Sequence, residues 1–328
     1  MGKGTLGAAG VLPLGYLYAL KPRAQPVNRH YISAVATFVV FGFISLPIRA
    51  LHGYDSGQLL YYRVAFALLC LVGIIAGFRR DSLRSTLGQY RAADPPEKRK
   101  FVRNLLVGSA FLTINWLAFI YVLNHISVQT GSFSYLLCPI VTTLLGSLLL
   151  KEKLHPTQWI ALGISATACA LIGVDSLYNL SFSLFIATSY ALYLITQRIL
   201  RDYDRIVLLA VQVLLALAFL TALGPSFRGV VPAEGFFYAN IFVLSSLFTV
   251  FPLFLNAYAL KGLPASTLGA LMYINPIINF ALAFFYYGER ASSAQWAAYA
   301  LIAVSVVVAN ARNWGVGVRE FGRVGVKS

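Results

Sequence analysis

Arg63 stands inside an apolar stretch, four positions after Leu59 and directly before Val64-Ala65-Phe66-Ala67-Leu68-Leu69. A guanidinium stays charged at neutral pH and can grip a carboxylate through two parallel hydrogen bonds, so an arginine in such a place predicts an anion-binding or gating role. Glu289 is the expected partner if the pair closes a gate. Snorkelling of the long side chain to a surface is the structural alternative. Amides and aromatic rings occupy comparable places: Asn115 and Trp116, Tyr135, Ser189 with Tyr190 and Tyr193, Asn256 with Tyr258, and Tyr273, Asn275 and Asn279. Asn275 and Asn279 are four positions apart and share a face if helical, with Tyr273 elsewhere on the same helix. One buried asparagine is more often glue between helices. The collection instead predicts a polar, aromatic cavity suited to amino acids or small amphiphilic metabolites, with amides hydrogen-bonding and rings stacking.

Two prolines join this set. Pro139 and Pro276 fall near the middle of apolar runs, where each removes a backbone N–H and crowds the carbonyl four residues earlier, Tyr135 and Met272 respectively. Paired breaks at matching places of two halves predict a binding site near the bilayer midplane; a packing kink without a ligand is the structural alternative. Other chemistries leave no trace. No nucleophile–base constellation, phosphate loop, Walker motif or metal cluster is evident, which excludes ATP hydrolysis within this chain and predicts no cofactor. No Asp or Glu lies in the interior of an apolar run, so a carboxylate proton relay is not expected. Of the four histidines only His125 is a plausible proton site.

The elements that must position these residues follow from composition. Apolar residues make up 59% of the 328 and charged residues 11%, against roughly a quarter charged in soluble domains. Apolar runs near the length that crosses a bilayer as a helix recur at 31–51, 57–77, 101–123, 128–150, 156–174, 180–200, 205–224, 236–260, 265–287 and 291–311. The stretch from Pro139 to Ala161 reappears without a gap from Pro276 to Ala298. Pro139/Pro276, Ile140/Ile277, Leu145/Leu282, Glu152/Glu289, Gln158/Gln295, Trp159/Trp296 and Ala161/Ala298 are identical, and Tyr121/Tyr258 and Thr130/Thr267 match upstream at the same offset. The expected fold is an all-α polytopic membrane protein of ten transmembrane helices. Its two five-helix repeats, 31–175 and 176–311, are inverted because an odd number of spans reverses the second.

Charge placement supports that count. All but four of the 26 lysines and arginines fall in alternate connections or the tails, and Arg49, Arg63, Arg228 and Arg290 are the exceptions. By the positive-inside rule both termini are cytoplasmic in an inner, or plasma, membrane. The net charge of +15 is thus topogenic, and no nucleic-acid partner is expected; the expected partners are a small-molecule solute and the lipid bilayer, with a homodimer left open. Residues 1–30 read as a poorly ordered or interfacial leader and 312–328 as a cytoplasmic tail. Cys70, Cys138 and Cys169 all fall within spans, so no disulfide framework is implied. Ala161, Ser165, Cys169 and Gly173 form a stripe of small residues that predicts close helix contact.

Together, Asn115-Trp116-Leu117-Ala118-Phe119-Ile120, Pro139 through Glu152-Lys153, Gln158-Trp159, Ser266-Thr267-Leu268-Gly269, Tyr273-Ile274-Asn275-Pro276 and Tyr286-Tyr287-Gly288-Glu289-Arg290 resemble the RarD-type permeases. These are EamA-domain members of the drug/metabolite transporter superfamily. The resemblance covers roughly Tyr31 to Asn310. It implies ten helices in two inverted repeats around a central cavity, and efflux of metabolites or drugs. Arg63 falls where the family carries an Arg, so the resemblance also directs attention to it. The expected function is therefore secondary export of a small organic solute. An integral-membrane enzyme on lipid-linked substrates would need a polar catalytic cluster at an interface. A scaffold would need only small and apolar helix contacts.

Overall fold

The computed structural model describes residues 27–151, 154, 156–223, 229–259, 271–305 and 307–308. The leader up to residue 26, the C-terminal tail, Glu152 and the first part of the ninth expected span lie outside the described residues. Among the described residues the chain is helical with no strand. The helices are α1 (Val27–Gly42), α2 (Ser45–Ala50), α3 (Ser56–Phe78), α4 (Arg80–Ala92), α5 (Pro95–His125), α6 (Val128–Leu150), α7 (Pro156–Asp175), α8 (Leu177–Ile199), α9 (Arg205–Ala222), α10 (Gly235–Ser245), α11 (Phe251–Ala259) and α12 (Ile274–Ala281). A last helix, α13, covers 293–305. Among the described residues seven segments are long and apolar enough to cross a membrane: Arg29–Ala50, Ser56–Phe78, Pro95–His125, Val128–Leu149, Leu177–Ile199, Arg205–Ala222 and Gly235–Asn256. The protein is an all-α, multi-pass membrane protein.

Local chemistry sets the boundaries. Asp55, Ser127, Ser176 and Asp204 each accept hydrogen bonds from backbone N–H groups of the helix they begin, α3, α6, α8 and α9, satisfying donors that have no intrahelical partner. Pro47 breaks the first span. It has no N–H to bond Phe43, and Leu46 N–H takes that carbonyl instead, at 3.1 Å. The second connection, expected as a basic loop, contains α4, whose Arg80, Asp81, Arg84 and Arg91 make it too polar to enter hydrocarbon. Helix α5 has 31 residues, about 46 Å at 1.5 Å per residue, so its charged start Glu97-Lys98-Arg99-Lys100 projects beyond a core of roughly 30 Å. Tyr54, in the connection before α3, donates to Glu234 Oε2 at 2.9 Å, and this bond holds the phenol proton above the ordinary tyrosine range.

The two halves interleave. Helix α6 packs on α8 and α12, α5 on α8 and α9, α3 on α9 and α10, and α1 on α11 and α12. The small-residue stripe of α7 meets α13: Ser165 Oγ and Ser305 Oγ are 2.7 Å apart, Ser305 donates to the Ala161 carbonyl at 2.8 Å, and Cys169 packs in the same cluster. Large apolar side chains such as Leu69, Phe78, Leu148, Trp159, Phe285 and Trp296 are exposed, as expected of a surface solvated by lipid.

Two glycines separate close approach from free surface. A Cβ on Gly42 would lie 2.7 Å from Ile278 Cβ, whereas one on Gly163 would meet nothing within 4 Å. Gly42→Val should therefore lower stability by about 1–3 kcal/mol through overpacking of α1 on α12, while Gly163→Ala should be neutral or slightly stabilising. Thermal unfolding of both purified variants in one detergent checks this, and equal melting temperatures would contradict the close α1–α12 contact.

Candidate functional site

Arg63 lies in the second turn of α3 and is only 2% exposed, so it does not snorkel. Its guanidinium sits 4.7 Å above the Trp116 ring of α5, and Nε donates to Thr249 Oγ1 at 3.1 Å. Thr249 belongs to a π-helical segment, Ser246–Val250, inserted between α10 and α11. Its hydroxyl donates to the Leu244 carbonyl at 2.8 Å, which orients the oxygen as an acceptor for Arg63. Ser245 Oγ donates to the Arg63 carbonyl at 2.9 Å. One wound segment thus holds both the backbone and the side chain of Arg63, and π-bulges frequently mark functional sites.

From Arg63 an aromatic seam runs across the interface of α5, α6 and α8. Tyr135 is within electrostatic reach of Arg63 and packs against Phe119 at 4.9 Å and Tyr190 at 5.8 Å; Tyr190 in turn meets Tyr193 at 6.0 Å. Tyr135 borders both large apolar clusters, one containing Trp116 and the other Tyr273. Asn115 is fully buried, donating Nδ2 to the Ile186 carbonyl at 2.9 Å and to Ser189 Oγ at 3.2 Å, and these bonds join α5 to α8. Asn275 and Asn279 do share a face: Asn279 Nδ2 donates to Asn275 Oδ1 at 2.7 Å. Asn256 lies on α11, which packs on α1 rather than on the aromatic seam. Arg63 Nη1, Asn115 Oδ1, Asn256 Oδ1, Tyr273 Oη and Asn279 Oδ1 are all buried without a protein partner. Such orphaned atoms are rare in folded proteins, and Ser45 Oγ, Ser56 Oγ, the Asn124 amide and Gln212 Nε2 share the property.

Two expectations are corrected, those for Pro139 and Glu289, while the break expected at Pro276 is present as the turn at 272–273. Pro139 does not interrupt its span, since α6 runs unbroken from Val128 to Leu150 with the proline inside it. Thiol and hydroxyl groups around it bond nearby carbonyls, Cys138 Sγ to Ser134, Thr142 Oγ1 to Cys138 and Thr143 Oγ1 to Pro139, and proline is tolerated in membrane helices. Pro276 is the third residue of α12, where a missing N–H costs little. The turn precedes it at 272–273, and the Met272 carbonyl is taken by Asn275 N–H at 3.3 Å. Glu289 pairs not with Arg63 but with Arg49, at 3.2 Å, and also accepts from the Val128 and Gln129 N–H groups at 2.9 Å each. It therefore caps α6 from another span and ties three elements together. Arg63 is sealed deeper in the bundle, so the solvent-nearer Arg49 reaches Glu289 first.

Thr249 and Gln212 are functional candidates missed in the sequence. Gln212 of α9 is fully buried, receives Gln197 Nε2 at 2.9 Å, and leaves its own Nε2 without a partner beside Gly108. Its signal was visible as a lone amide within Leu208–Phe219. Thr249 gave none, because a hydroxyl in an apolar helix usually bonds its own backbone.

Glu289→Ala should lower stability by about 1–3 kcal/mol, since it removes the ion pair and uncaps α6 together, and Arg49→Ala should cost less than about 1 kcal/mol. Thermal unfolding of both variants measures the order; Arg49→Ala as damaging as Glu289→Ala would place the energy in the ion pair instead of the cap.

Comparison with known proteins agrees with this architecture. The model of the EamA-like transporter family matches twice, over residues 9–174 and 178–311. Protein RarD of Escherichia coli is 25% identical over 289 residues, 87% of this chain and 95% of that protein. An uncharacterized transporter of Bacillus subtilis, YojE, is 28% identical over 292 residues, 84% of this chain and 94% of that one. Protein RarD of Streptomyces exfoliatus is 28% identical over 205 residues, 62% of this chain and 65% of that protein. A protein of known crystal structure superposes with a TM-score of 0.57 at 18% identity, covering 85% of this chain and 95% of that one, a likeness of fold. With a family match in each half and relatives along most of its length, this chain belongs to the EamA-like transporter family.

Proposed function

We propose that this protein is a secondary transporter that exports a small organic solute, an amino acid or an amphiphilic drug-like molecule, by alternating access of two inverted five-helix repeats. The observation that carries this reading is an exchange symmetry in the packing. When the ten apolar runs are numbered in order and each is replaced by the one five places away, contacts map onto contacts. The α6–α8 contact maps onto α12–α1, α5–α8 onto α11–α1, and α5–α9 onto α10–α3; α3–α9, α6–α12 and the Ser165–Ser305 contact map onto themselves. A two-fold axis exchanging the halves would produce this set, and an odd number of spans in each half makes the repeats inverted. Rocking one half against the other then exposes a fixed site to each side in turn.

Arg63, Asn115, Trp116, Tyr135, Pro139, Tyr190, Tyr193, Asn256, Tyr273, Asn275, Pro276 and Asn279 form the path in this reading, and Arg49–Glu289 in place of Arg63–Glu289 forms the outer closure. The inner-membrane location with both termini in the cytoplasm is supported by the alternation of basic residues. A homodimer is retained as the oligomeric proposal, with equilibrium sedimentation in detergent as its measurement.

Orientation is testable with single cysteines in a Cys-free background. Ala92, exposed at the end of α4, and Val231, exposed on the opposite side before α10, suit the purpose. Gly229 does not, since it takes φ +60° and a Cβ there would lie 2.7 Å from Gln58 Nε2. In intact cells an impermeant thiol reagent should modify Val231→Cys and leave Ala92→Cys unmodified; the reverse pattern inverts the topology. Transport itself is tested by thermal stabilisation of purified protein over a panel of amino acids, nucleobases and drugs, followed by flux of each hit from proteoliposomes. A ligand at 100 times its Kd stabilises by about 2.7 kcal/mol. Hits that bind and are never carried across would favour a receptor or scaffold.

A further inference from the structure

Arg63 is the only lysine or arginine buried among the described residues. The ion pairs Arg49–Glu289, Arg79–Asp204, Arg84–Asp81 and Arg201–Asp202 do not involve Arg63. Its charge faces one hydroxyl, Thr249 Oγ1, and one ring face, Trp116, and Nη1 has no protein partner although it is buried. A guanidinium cannot neutralise itself by losing its proton as a buried lysine can. A buried charge without a counter-charge is strongly disfavoured. The surroundings hold it in place all the same: Thr249 of the π segment fixes Nε, Ser245 at the end of α10 holds the backbone carbonyl, and the indole supports the flat face. A preset donor fork with its counter-charge missing is the form of a receptor for an anion.

We propose that the transported solute is an organic anion carrying one negative charge on an apolar or aromatic body, with the charge held by Arg63 and the body by Trp116 and the tyrosine seam. The proposal rests on the transport reading above and names its substrate class. A single charge is inferred because one guanidinium balances one anion, and no second lysine or arginine is buried among the described residues. The apolar body follows from the rings on either side, Trp116 at 4.7 Å from the guanidinium and Phe119, Tyr135, Tyr190 and Tyr193 in succession. The planar fork matches a carboxylate in two places at once, which a lysine ammonium does not. In the conformation described, Nη1 is sealed from the surface, so binding accompanies a conformational change that opens a way to it.

The experiment compares matched anions and amides: benzoate with benzamide, indole-3-acetate with indole-3-acetamide, and octanoate with octanamide. The protein carries Trp159→Phe, Trp296→Phe and Trp314→Phe, so that Trp116 is the sole indole reporter. At least one acid should quench Trp116 saturably and raise the melting temperature, with its amide at least tenfold weaker. Arg63→Gln should remove the difference between acid and amide, and Arg63→Lys should recover only a small part of it. Acids and amides that act alike in every pair, or an acid preference that survives Arg63→Gln, overturn the proposal. Chloride or inorganic phosphate binding as tightly as the acids also overturns it, assigning the site to an inorganic anion. Should Arg63→Gln fail to fold, the acid–amide comparison on the protein with Arg63 intact decides alone. Transport is scored separately in proteoliposomes. A neutral compound that is carried while no acid binds leaves the transport reading standing and sinks the anion assignment; an acid that binds through Arg63 and is never carried does the opposite.

Discussion

An arginine charge held inside a bundle whose outer solvent is lipid is the constraint around which the rest of the structure is arranged. At the centre of a membrane helix such a residue costs about 2.5–3.5 kcal/mol on insertion scales. Nothing in hydrocarbon offsets that, so the bundle must supply the compensation itself. It does so with parts drawn from both halves of the chain: the indole of Trp116 from α5 and the hydroxyl of Thr249 from the segment between α10 and α11. The compensation is incomplete, and that incompleteness is useful, because a site satisfied by its own protein has no free energy left to select a ligand.

The ends of the bundle use charge differently. Near one surface Glu289 caps α6 across the fold and holds Arg49, with Tyr287 stacked against the Arg49 guanidinium at 4.8 Å. Near the other, Asp204 caps α9 and holds Arg79 at 2.8 Å. In each case one carboxylate serves a helix N-terminus and an arginine from another span. The cap persists whether or not the arginine remains. That division lets an ion pair open during a conformational change without unravelling the helix beneath it, since a half-exposed pair contributes little while a cap contributes about 1 kcal/mol.

Much of this was legible in the sequence because lipid imposes simple rules. Runs such as 57–77 and 128–150 correspond closely to α3 and α6, and Arg63, Asn115, Trp116, Tyr135 and Tyr190 were identifiable as anomalies against an apolar background. What escaped depends on geometry with no compositional mark. A π segment differs from an α-helix by a single extra residue in one turn, and Ser246-Leu247-Phe248-Thr249-Val250 has the hydropathy of any span. Pro139 could be recognised as a breaker, but α6 runs through it where it packs against α8 and α12, a tertiary setting with no mark in the sequence. The partner of Glu289 was misread for a related reason. Sequence places Arg49 and Arg63 on the same side of the membrane, and only the packing of α2 and α3 decides which guanidinium reaches the carboxylate.

The displaced pairing changes how the two arginines divide the work. Had Glu289 held Arg63, one ion pair would have both closed the path and occupied the binding group, so solute and gate would have competed for a single charge. In the proposed transport cycle, Arg49 at the closure and Arg63 left uncompensated below it keep the two functions energetically separate. The proposed gate can then remain closed over an occupied or an empty site. A carrier needs that independence, because the empty form must also reorient for turnover to continue, and its cost is carried by the same Trp116 and Thr249 contacts that hold Arg63 in readiness. The indole and hydroxyl neutralise the guanidinium enough for the empty state to exist and too weakly to exclude a better partner.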